Sequence, residues 1–298
     1  MQLREGIPVL SPGLVLAAAI LAISWGSILV RLCSAEPLTI AFYRLGLAAA
    51  LLFPFALRRG VLRSLPRSVS LPVLLSGLLL ALHFGAWIWS LSLTSIGSSV
   101  VLVSTQPLFS ALLSGPLLGE RAPGRVYAGI IICLTGMLLI SGEDLGVSTQ
   151  RLLGDLLSMT AALAGAAYFA LGRWVRRGIP FVPYLFLVYA AAAAILGVGA
   201  WAAGQSLSGL APKDYLWLAA MAIFPSIVGH GCLNWAVRHL EVFYVSLAAF
   251  GEPVLATLYA WILFGEKIPA ALFTGGGLIF TGLVVALPRG RKMSRGTD

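Results

Sequence analysis

Ionisable side chains within long apolar segments are the first candidates for chemistry in this sequence. Glu252 and Arg44 each stand in such a segment, and so do His83 and His230. A charge withdrawn from water is costly unless it faces a partner, a cavity or a ligand. Glu252 could therefore bind the amino group of a ligand, carry a proton or pair with Arg44. Arg44 could bind a carboxylate, extend its head group to water or lock two helices together.

The two histidines each have a polar or aromatic neighbour four residues on. His83 precedes Trp87, and His230 precedes Asn234, so each pair shares one face of a helix. We predict that the two faces converge on one cavity, with packing of each histidine inside an apolar helix as the alternative. The usual pKa of imidazole would suit proton coupling.

Two proline dipeptides and several deep aromatic residues complete the candidate site. Gln106-Pro107 and Glu252-Pro253 place a polar side chain beside a proline within an apolar segment, which predicts a bend and free backbone polar groups there. A kink that serves packing alone is the alternative. Trp25, Trp87 and Tyr168 would line a pocket or fill grooves against lipid. The full set of predicted substrate-binding residues is Trp25, Arg44, His83, Trp87, Gln106, Tyr168, His230, Asn234 and Glu252.

The elements that must position these residues are membrane-spanning helices. The chain has 298 residues, of which 59% are hydrophobic and 10% charged, with a mean hydropathy of +0.95. Soluble domains are roughly 25% charged, so both a soluble globule and a disordered chain are excluded. The net charge of +9 comes from Lys and Arg in short loops, which indicates membrane topology and no nucleic-acid partner.

The apolar runs predict an all-α protein with both termini in the cytoplasm. The predicted loops carry 15 Lys or Arg on one side and 4 on the other, and basic loops favour the cytoplasm. The first run follows a weakly charged segment without a convincing cleavage site, and we expect it to be retained. A span needs about 20 apolar residues. Ten spans are predicted, at 12–32, 39–57, 71–93, 97–118, 123–141, 153–175, 182–203, 214–237, 242–264 and 269–287.

An internal repeat divides these spans into two sets of five. Trp89–Ser141 aligns without gaps to Trp235–Leu287, and ten of the 53 positions are identical. Because five is odd, the second copy must enter the membrane from the opposite side, an arrangement common in secondary transporters. We therefore predict a cytoplasmic tail at 1–11, inverted five-helix repeats at 12–145 and 146–287, and a basic cytoplasmic tail at 288–298.

Each repeat contains a Gly-Glu dipeptide followed by proline. Gly119–Pro123 and Gly265–Pro269 predict tight connections in which glycine adopts a left-handed helix cap, the acid lies near the next helix and proline occupies its first turn. We expect Glu120 and Glu266 to have no catalytic role. Other enzyme motifs, such as GxSxG, HExxH and the P-loop, are missing from the sequence. The isolated Cys33, Cys133 and Cys232 indicate neither a disulfide framework nor a zinc site, and no cofactor is predicted.

These features together resemble a known family. Trp25-Gly26, the segment from Pro37 to Arg44, and the paired Gly-Glu and proline motifs are similar to the EamA branch of the drug/metabolite transporter superfamily over residues 12–287. The resemblance implies a ten-helix alternating-access carrier that exports amino acids or other small metabolites across the bacterial inner membrane. Separately, we expect a monomer or a homodimer. Arg44 fits that pattern, whereas Glu252 does not belong to it. A flippase for a lipid-linked or amphipathic molecule, or a non-transporting intramembrane protein, is the alternative.

Overall fold

The computed structural model describes residues 11–57, 70–94, 96–141, 148–265 and 270–287, and these residues form helices and connections without any β-strand. The basic loop at 58–67, the acidic pair Glu143 and Asp144, and the segment Glu266–Pro269 lie outside the described residues. The predicted tails at 1–11 and 288–298 lie outside them too, apart from Ser11.

Eight helical segments within these ranges are long and apolar enough to cross a membrane. Two shorter apolar helices, Gly124–Ile140 and Ala270–Ala286, coincide with the two remaining predicted spans. The eight longer segments are Pro12–Leu32, Pro37–Leu57, Ser70–Ser90, Ser98–Leu118, Thr149–Val175, Phe181–Ala202, Pro212–Ala236 and Val242–Phe264.

Four of these segments are interrupted, so the structure contains fourteen described α-helices and one π-helical segment, Ala222–His230. The α-helices are numbered in chain order: α1 Pro12–Ile23, α2 Trp25–Leu32, α3 Pro37–Leu57, α4 Ser70–Ser90, α5 Ile96–Val103, α6 Gln106–Leu118, α7 Gly124–Ser141, α8 Thr149–Val175, α9 Phe181–Ala202, α10 Pro212–Met221, α11 Gly231–Ala236, α12 Val242–Ala248, α13 Gly251–Phe264 and α14 Ala270–Ala286.

The interruptions have local causes in the sequence. Between α1 and α2, the Ser24 hydroxyl donates to the Ile20 carbonyl at 2.6 Å, which competes with the regular backbone ladder. Pro107 occupies the first turn of α6, just after a break, and Pro225 lies inside the π-helical segment. Since proline has no N–H to donate, each of these sites leaves a backbone carbonyl without its helical partner.

Small residues allow α7 and α14 to pack at backbone distance. A Cβ atom added at Gly136 would lie 2.4 Å from the Gly275 carbonyl oxygen, and one at Gly129 would lie 2.5 Å from that of Gly282. The two pairs run in opposite order along the chain, so the helices are antiparallel. Close packing of this kind supplies the van der Waals contact that holds helices together in lipid.

The two ends of the bundle are identified by contacts between helix termini. At one end the Arg31 guanidinium of α2 lies 4.9 Å from the centre of the Phe264 ring at the end of α13. At the other end Arg173 of α8 contacts Glu120, which follows α6, and Val237, which follows α11. We call these the Arg31 end and the Arg173 end.

Candidate functional site

A cavity of about 380 Å³ lies where the interrupted helices meet. Ser27 lines it just after the α1–α2 break, Ser104 at the α5–α6 break, His230 at the end of the π-helical segment and Glu252 just after the α12–α13 break. The volume is in the range of small-molecule sites, roughly 300–1,000 Å³. Irregular backbone at membrane depth is tolerated where it lines such a cavity.

Six of the nine predicted site residues line this cavity. They come from five separate stretches of the chain, and most of the remaining lining is apolar. The structure thus brings these six together, while their part in substrate binding stays a prediction. The six are Arg44, His83, Trp87, Gln106, His230 and Glu252.

The Arg44 guanidinium is held at Nε by a hydrogen bond, whereas its Nη1 has no partner among the described residues. Its Nε donates to the Ser226 hydroxyl at 2.8 Å, and its Cζ lies 3.9 Å from the centre of the Phe84 ring. The Ser226 hydroxyl in turn donates to the Met221 carbonyl at 2.9 Å, across the π-helical turn. The Arg44 Nη1 atom is buried and has no hydrogen-bond partner among the described residues. A buried donor left unpaired is costly, so Nη1 is a candidate contact for a ligand acceptor.

Two further nitrogen atoms, in residues that line the cavity, are also buried without a partner in the described part of the chain. They are Nε1 of Trp87 and Nδ1 of His230. Indole Nε1 can only donate, and guanidinium nitrogens can only donate. Arg44 and Trp87 therefore each carry a donor that has no partner within the described residues and that a ligand oxygen would satisfy.

Glu252 supplies the negative charge of the same cavity. It lies in the first turn of α13 and lines the cavity together with Arg44. Nevertheless, the described residues contain no ion pair or hydrogen bond between the two side chains. The direct Arg44–Glu252 pair that the sequence left open is not formed.

His83 and Gln106 approach helix α8 at a glycine. His83 Nδ1 lies 2.8 Å from the Ala161 carbonyl oxygen, and since a carbonyl only accepts, Nδ1 carries the hydrogen. In the neutral ring Nε2 is then an acceptor. A Cβ atom added at Gly165 would lie 2.7 Å from His83 Nδ1 and 2.8 Å from Gln106 Oε1. Gly165 therefore makes room for both side chains.

The other three predicted residues do not line the cavity. Trp25 stacks on Tyr259, with ring centres 4.8 Å apart. Tyr168 donates through its hydroxyl to Asn234 Oδ1 at 3.0 Å, and Asn234 Nδ2 donates to the His230 carbonyl at 2.7 Å. These hydrogen bonds hold the turn that carries His230, so Asn234 and Tyr168 are placed to support the cavity wall from behind. A direct substrate contact for Trp25, Tyr168 or Asn234 stays an untested prediction.

Sequence reasoning missed Ser226 and Phe84, which together hold the Arg44 guanidinium. Pro225 was the available signal for Ser226, because a proline within an apolar segment predicts a break at which the next polar side chain can face a neighbouring helix. Phe84 carried no signal, since an aromatic ring in an apolar helix looks like any other packing residue.

Metal binding has no support in the described ranges, where no group of three or more His, Cys, Asp or Glu side chains could hold an ion. Cys33, Cys133 and Cys232 are free cysteines.

Comparison with known families gives a match over most of the chain. The profile of the EamA-like transporter family matches twice, at residues 12–142 and at residues 152–287. The stretch between the two matches, residues 143–151, contains the boundary between the two predicted repeats.

Named relatives are identical to this chain at about a quarter of the aligned positions. The chain is 26% identical over 190 residues to "Uncharacterized transporter YdfC" of Bacillus subtilis, covering 63% of this chain but only 61% of that protein. It is 25% identical over 205 residues to the "Probable amino-acid metabolite efflux pump" of Escherichia coli, covering 63% and 66% of the two chains. It is 24% identical over 254 residues to "Pseudopaline exporter CntI" of Pseudomonas aeruginosa, covering 85% and 86%.

One solved crystal structure has a similar fold. It superposes with a TM-score of 0.79 and 22% identity over 92% of this chain and 96% of that chain. At this identity the likeness concerns the fold alone.

Proposed function

Because the chain belongs to the EamA-like transporter family, we propose that this multi-pass integral membrane protein is a secondary transporter that exports small zwitterionic metabolites such as amino acids. A zwitterion here is a molecule that carries one positive and one negative group. The transport step is alternating access, in which the cavity between the helices opens to one side of the membrane at a time. We also propose that the protein is not an enzyme.

The observation that carries this proposal is the separation of Arg44 from Glu252 on the wall of one cavity. Opposite charges buried in a region of low dielectric attract strongly, and an unpaired buried charge is costly. Arg44 is buried and Glu252 is half-buried, and both line one cavity without pairing, which leaves one positive and one negative position for a ligand to fill. A substrate carboxylate would contact Arg44 Nη1, and a substrate ammonium group would contact Glu252.

The rest of the cavity supports the same substrate class. Trp87 lines the cavity, and its buried Nε1, which has no partner among the described residues, would add a donor to the substrate carboxylate. Apolar side chains such as Ile28, Val103 and Phe169 make up most of the remaining lining, and they would accept an apolar substrate side chain. A site of this kind orients a ligand by a few polar groups and binds its body by apolar contact.

The architecture that we propose is ten spans in two inverted five-helix repeats. The double match of the family profile and the two short apolar helices support ten spans. The 15 to 4 distribution of Lys and Arg supports cytoplasmic termini, so the Arg173 end faces the cytoplasm and the Arg31 end faces outward. We place the protein in the bacterial inner membrane as a monomer or homodimer.

The names of two relatives support export rather than uptake. One is named an amino-acid metabolite efflux pump, and the other a pseudopaline exporter. The breaks in four spanning segments supply points at which half-helices can tilt around the cavity. Substrate binding drives such a change only if the two states differ in affinity for the substrate.

Flux measurements in proteoliposomes test the proposal. Purified protein is reconstituted with a panel of radiolabelled amino acids inside, and release is compared with that of protein-free vesicles. We expect release of at least one amino acid by the protein and a loss of that release in Glu252→Gln, with Glu36→Gln as the control at a carboxylate outside the cavity. If no amino acid is released, or if the vesicles instead translocate a fluorescent lipid, the proposed substrate class is wrong.

A further inference from the structure

The Gly119–Pro123 connection contains a carboxylate that the proposed substrate site does not use. Gly119 ends α6 in the left-handed conformation, with φ of 73°, and the chain turns sharply there. Glu120 then lies with Oε1 at 2.6 Å from Arg173 Nη2, at the end of α8. The two side chains are only 15% and 19% exposed, so solvent screens this ion pair less than it would an ordinary surface pair.

Arg173 links this carboxylate to a third part of the chain. Its Nη1 donates to the Val237 carbonyl at 2.6 Å and also to the Leu240 carbonyl, in the connection between α11 and α12. Glu120 belongs to the first stretch matched by the family profile, whereas Arg173, Val237 and Leu240 belong to the second. One guanidinium therefore joins the two halves of the protein at the Arg173 end.

A second contact between the halves closes the same end, at the cavity wall itself. The hydroxyl oxygens of Ser110 in α6 and Ser246 in α12 lie 2.8 Å apart, and both residues are buried. Ser246 also lines the cavity. The contact between α6 and α12 is thus the floor of the cavity.

The cavity lining stops one helical turn before the Arg173 contacts. The nearest lining residues on the two helices are Phe169 and Leu233, each four positions before Arg173 and Val237. In the opposite direction the lining continues to Arg31 and Ile140, in the last turns of α2 and α7. The structure is therefore closed at the Arg173 end, and its cavity extends to the Arg31 end.

We propose that the Glu120–Arg173 ion pair is a latch that holds the cytoplasmic end of the cavity shut and must open before substrate enters from the cytoplasm. The latch rests on the proposed function, because it takes the cavity to be the transport path and the Arg173 end to be cytoplasmic. This role requires that the Glu120–Arg173 ion pair forms and breaks once in each transport cycle.

The energetics of the pair suit a contact that opens reversibly. Burial raises the pKa of the Glu120 carboxyl above its usual value, and attraction to Arg173 acts in the opposite direction. Glu120 Oε2 is buried and has no hydrogen-bond partner within the described residues. The two charges lose hydration when they pair, and this loss offsets most of their attraction. The free energy needed to separate the pair and hydrate both groups is therefore smaller than the short distance between them suggests.

Labelling of cysteines on the two sides of the latch tests the proposal without a transport assay. In a background whose three native cysteines are replaced by alanine, Ser246→Cys labelled in inside-out vesicles reports access from the Arg173 end, and Ser27→Cys labelled in right-side-out vesicles reports access from the Arg31 end. A membrane-impermeant maleimide is added to inside-out and right-side-out vesicles carrying Glu120→Gln or Arg173→Gln. The matched control is Arg238→Gln, an exposed arginine at the same end of the bundle.

Opposite changes at the two probes are the expected result. Loss of the latch should speed labelling at Ser246→Cys by roughly tenfold and slow it at Ser27→Cys, as expected when a population shifts between two states. Arg238→Gln should change neither rate. Unchanged rates in both latch variants would overturn the proposal, and so would equal changes in the control. Faster labelling at both probes would overturn it as well, because that indicates unfolding. If the two labelling rates change in opposite directions but the protein transports no amino acid, the latch proposal stands and the proposed substrate class is wrong.

Discussion

Arg44 and Ser226 are joined by a hydrogen bond of 2.8 Å that connects helix α3 to the π-helical segment. The Ser226 hydroxyl is held by the Met221 carbonyl, and the carbonyl of Ser226 accepts a hydrogen bond from the Tyr189 hydroxyl at 2.9 Å. This fixed chain of contacts sets the position of the guanidinium edge that faces the cavity. The π-helical turn therefore positions a residue of the candidate site, although Ser226 would not itself contact the proposed substrate.

Replacing Ser226 by alanine should weaken substrate binding more than it slows the transport step. The guanidinium would lose the acceptor of its Nε hydrogen, which leaves a buried donor unpaired at a cost of about 1–3 kcal/mol. Concentration-dependent flux in proteoliposomes should show a raised KM with a nearly unchanged maximal rate. Ser92→Ala is the control, because that exposed hydroxyl donates only to the nearby Trp89 carbonyl. An unchanged KM in Ser226→Ala would show that the hydrogen bond does not position Arg44.

Replacing Arg44 by lysine should abolish most transport although the positive charge remains. An ammonium group has no planar fork, so it cannot contact Ser226 and a substrate carboxylate with fixed geometry. We expect flux to fall by about tenfold or more, since a lost hydrogen bond to a charged group costs roughly 1.5–3 kcal/mol. Gel filtration and thermal unfolding of the purified variant would establish that it is folded. Flux equal to wild type would contradict a directional role for the guanidinium.

A methyl group at Gly165 should damage the cavity. The added Cβ atom of Gly165→Ala would lie 2.7 Å from His83 Nδ1 and 2.8 Å from Gln106 Oε1, so both side chains must shift. Gly277→Ala is a matched control, because its added Cβ atom would have nothing within 4 Å. We expect reduced flux and a lower midpoint of thermal unfolding for Gly165→Ala alone. Equal behaviour of the two variants would mean that the wall near His83 adapts freely.

Cross-linking the cavity floor should stop transport reversibly. Ser110 and Ser246 have hydroxyl oxygens 2.8 Å apart, so cysteines at both positions are placed to form a disulfide. Oxidation of Ser110→Cys/Ser246→Cys in the cysteine-free background should hold the Arg173 end closed and abolish flux, and a reductant should restore it. Each single cysteine variant is the control. Full flux in the cross-linked protein would show that these helices need not separate.

The membrane helices could be predicted from the sequence because an apolar run is a local property, while the orientation predicted from the loop charges stays a prediction. The left-handed caps at Gly119 and Gly265 were predicted from glycine before an acid, and the structure confirms both, with φ of 73° and 66°. Six of the predicted residues line one cavity, as we expected from the cost of burying Arg44, His83, His230 and Glu252, while their contact with a substrate stays a prediction.

The parts that could not be predicted depend on distant contacts. The bend predicted at Pro107 is a full break between α5 and α6, and nothing local distinguishes a bend from a break. Glu120 looked like a helix-end residue, because its partner Arg173 is 53 positions away and its approach depends on how the two halves pack. The hydrogen bonds of Asn234 to Tyr168 and to the His230 carbonyl could not be predicted either, because the first depends on how α8 packs, and its predicted contact with a ligand stays untested.

A comparison of matched substrates in wild type and Glu252→Gln tests the central claim most directly. The two substrates are a transported amino acid and its analogue without the amino group, measured by flux in the same vesicles. We predict that wild type prefers the amino acid by at least about tenfold, as for one charged contact of roughly 1.5–3 kcal/mol, and that Glu252→Gln loses the preference by transporting the amino acid poorly. An undiminished preference in Glu252→Gln would contradict the claim that this carboxylate binds the substrate ammonium group.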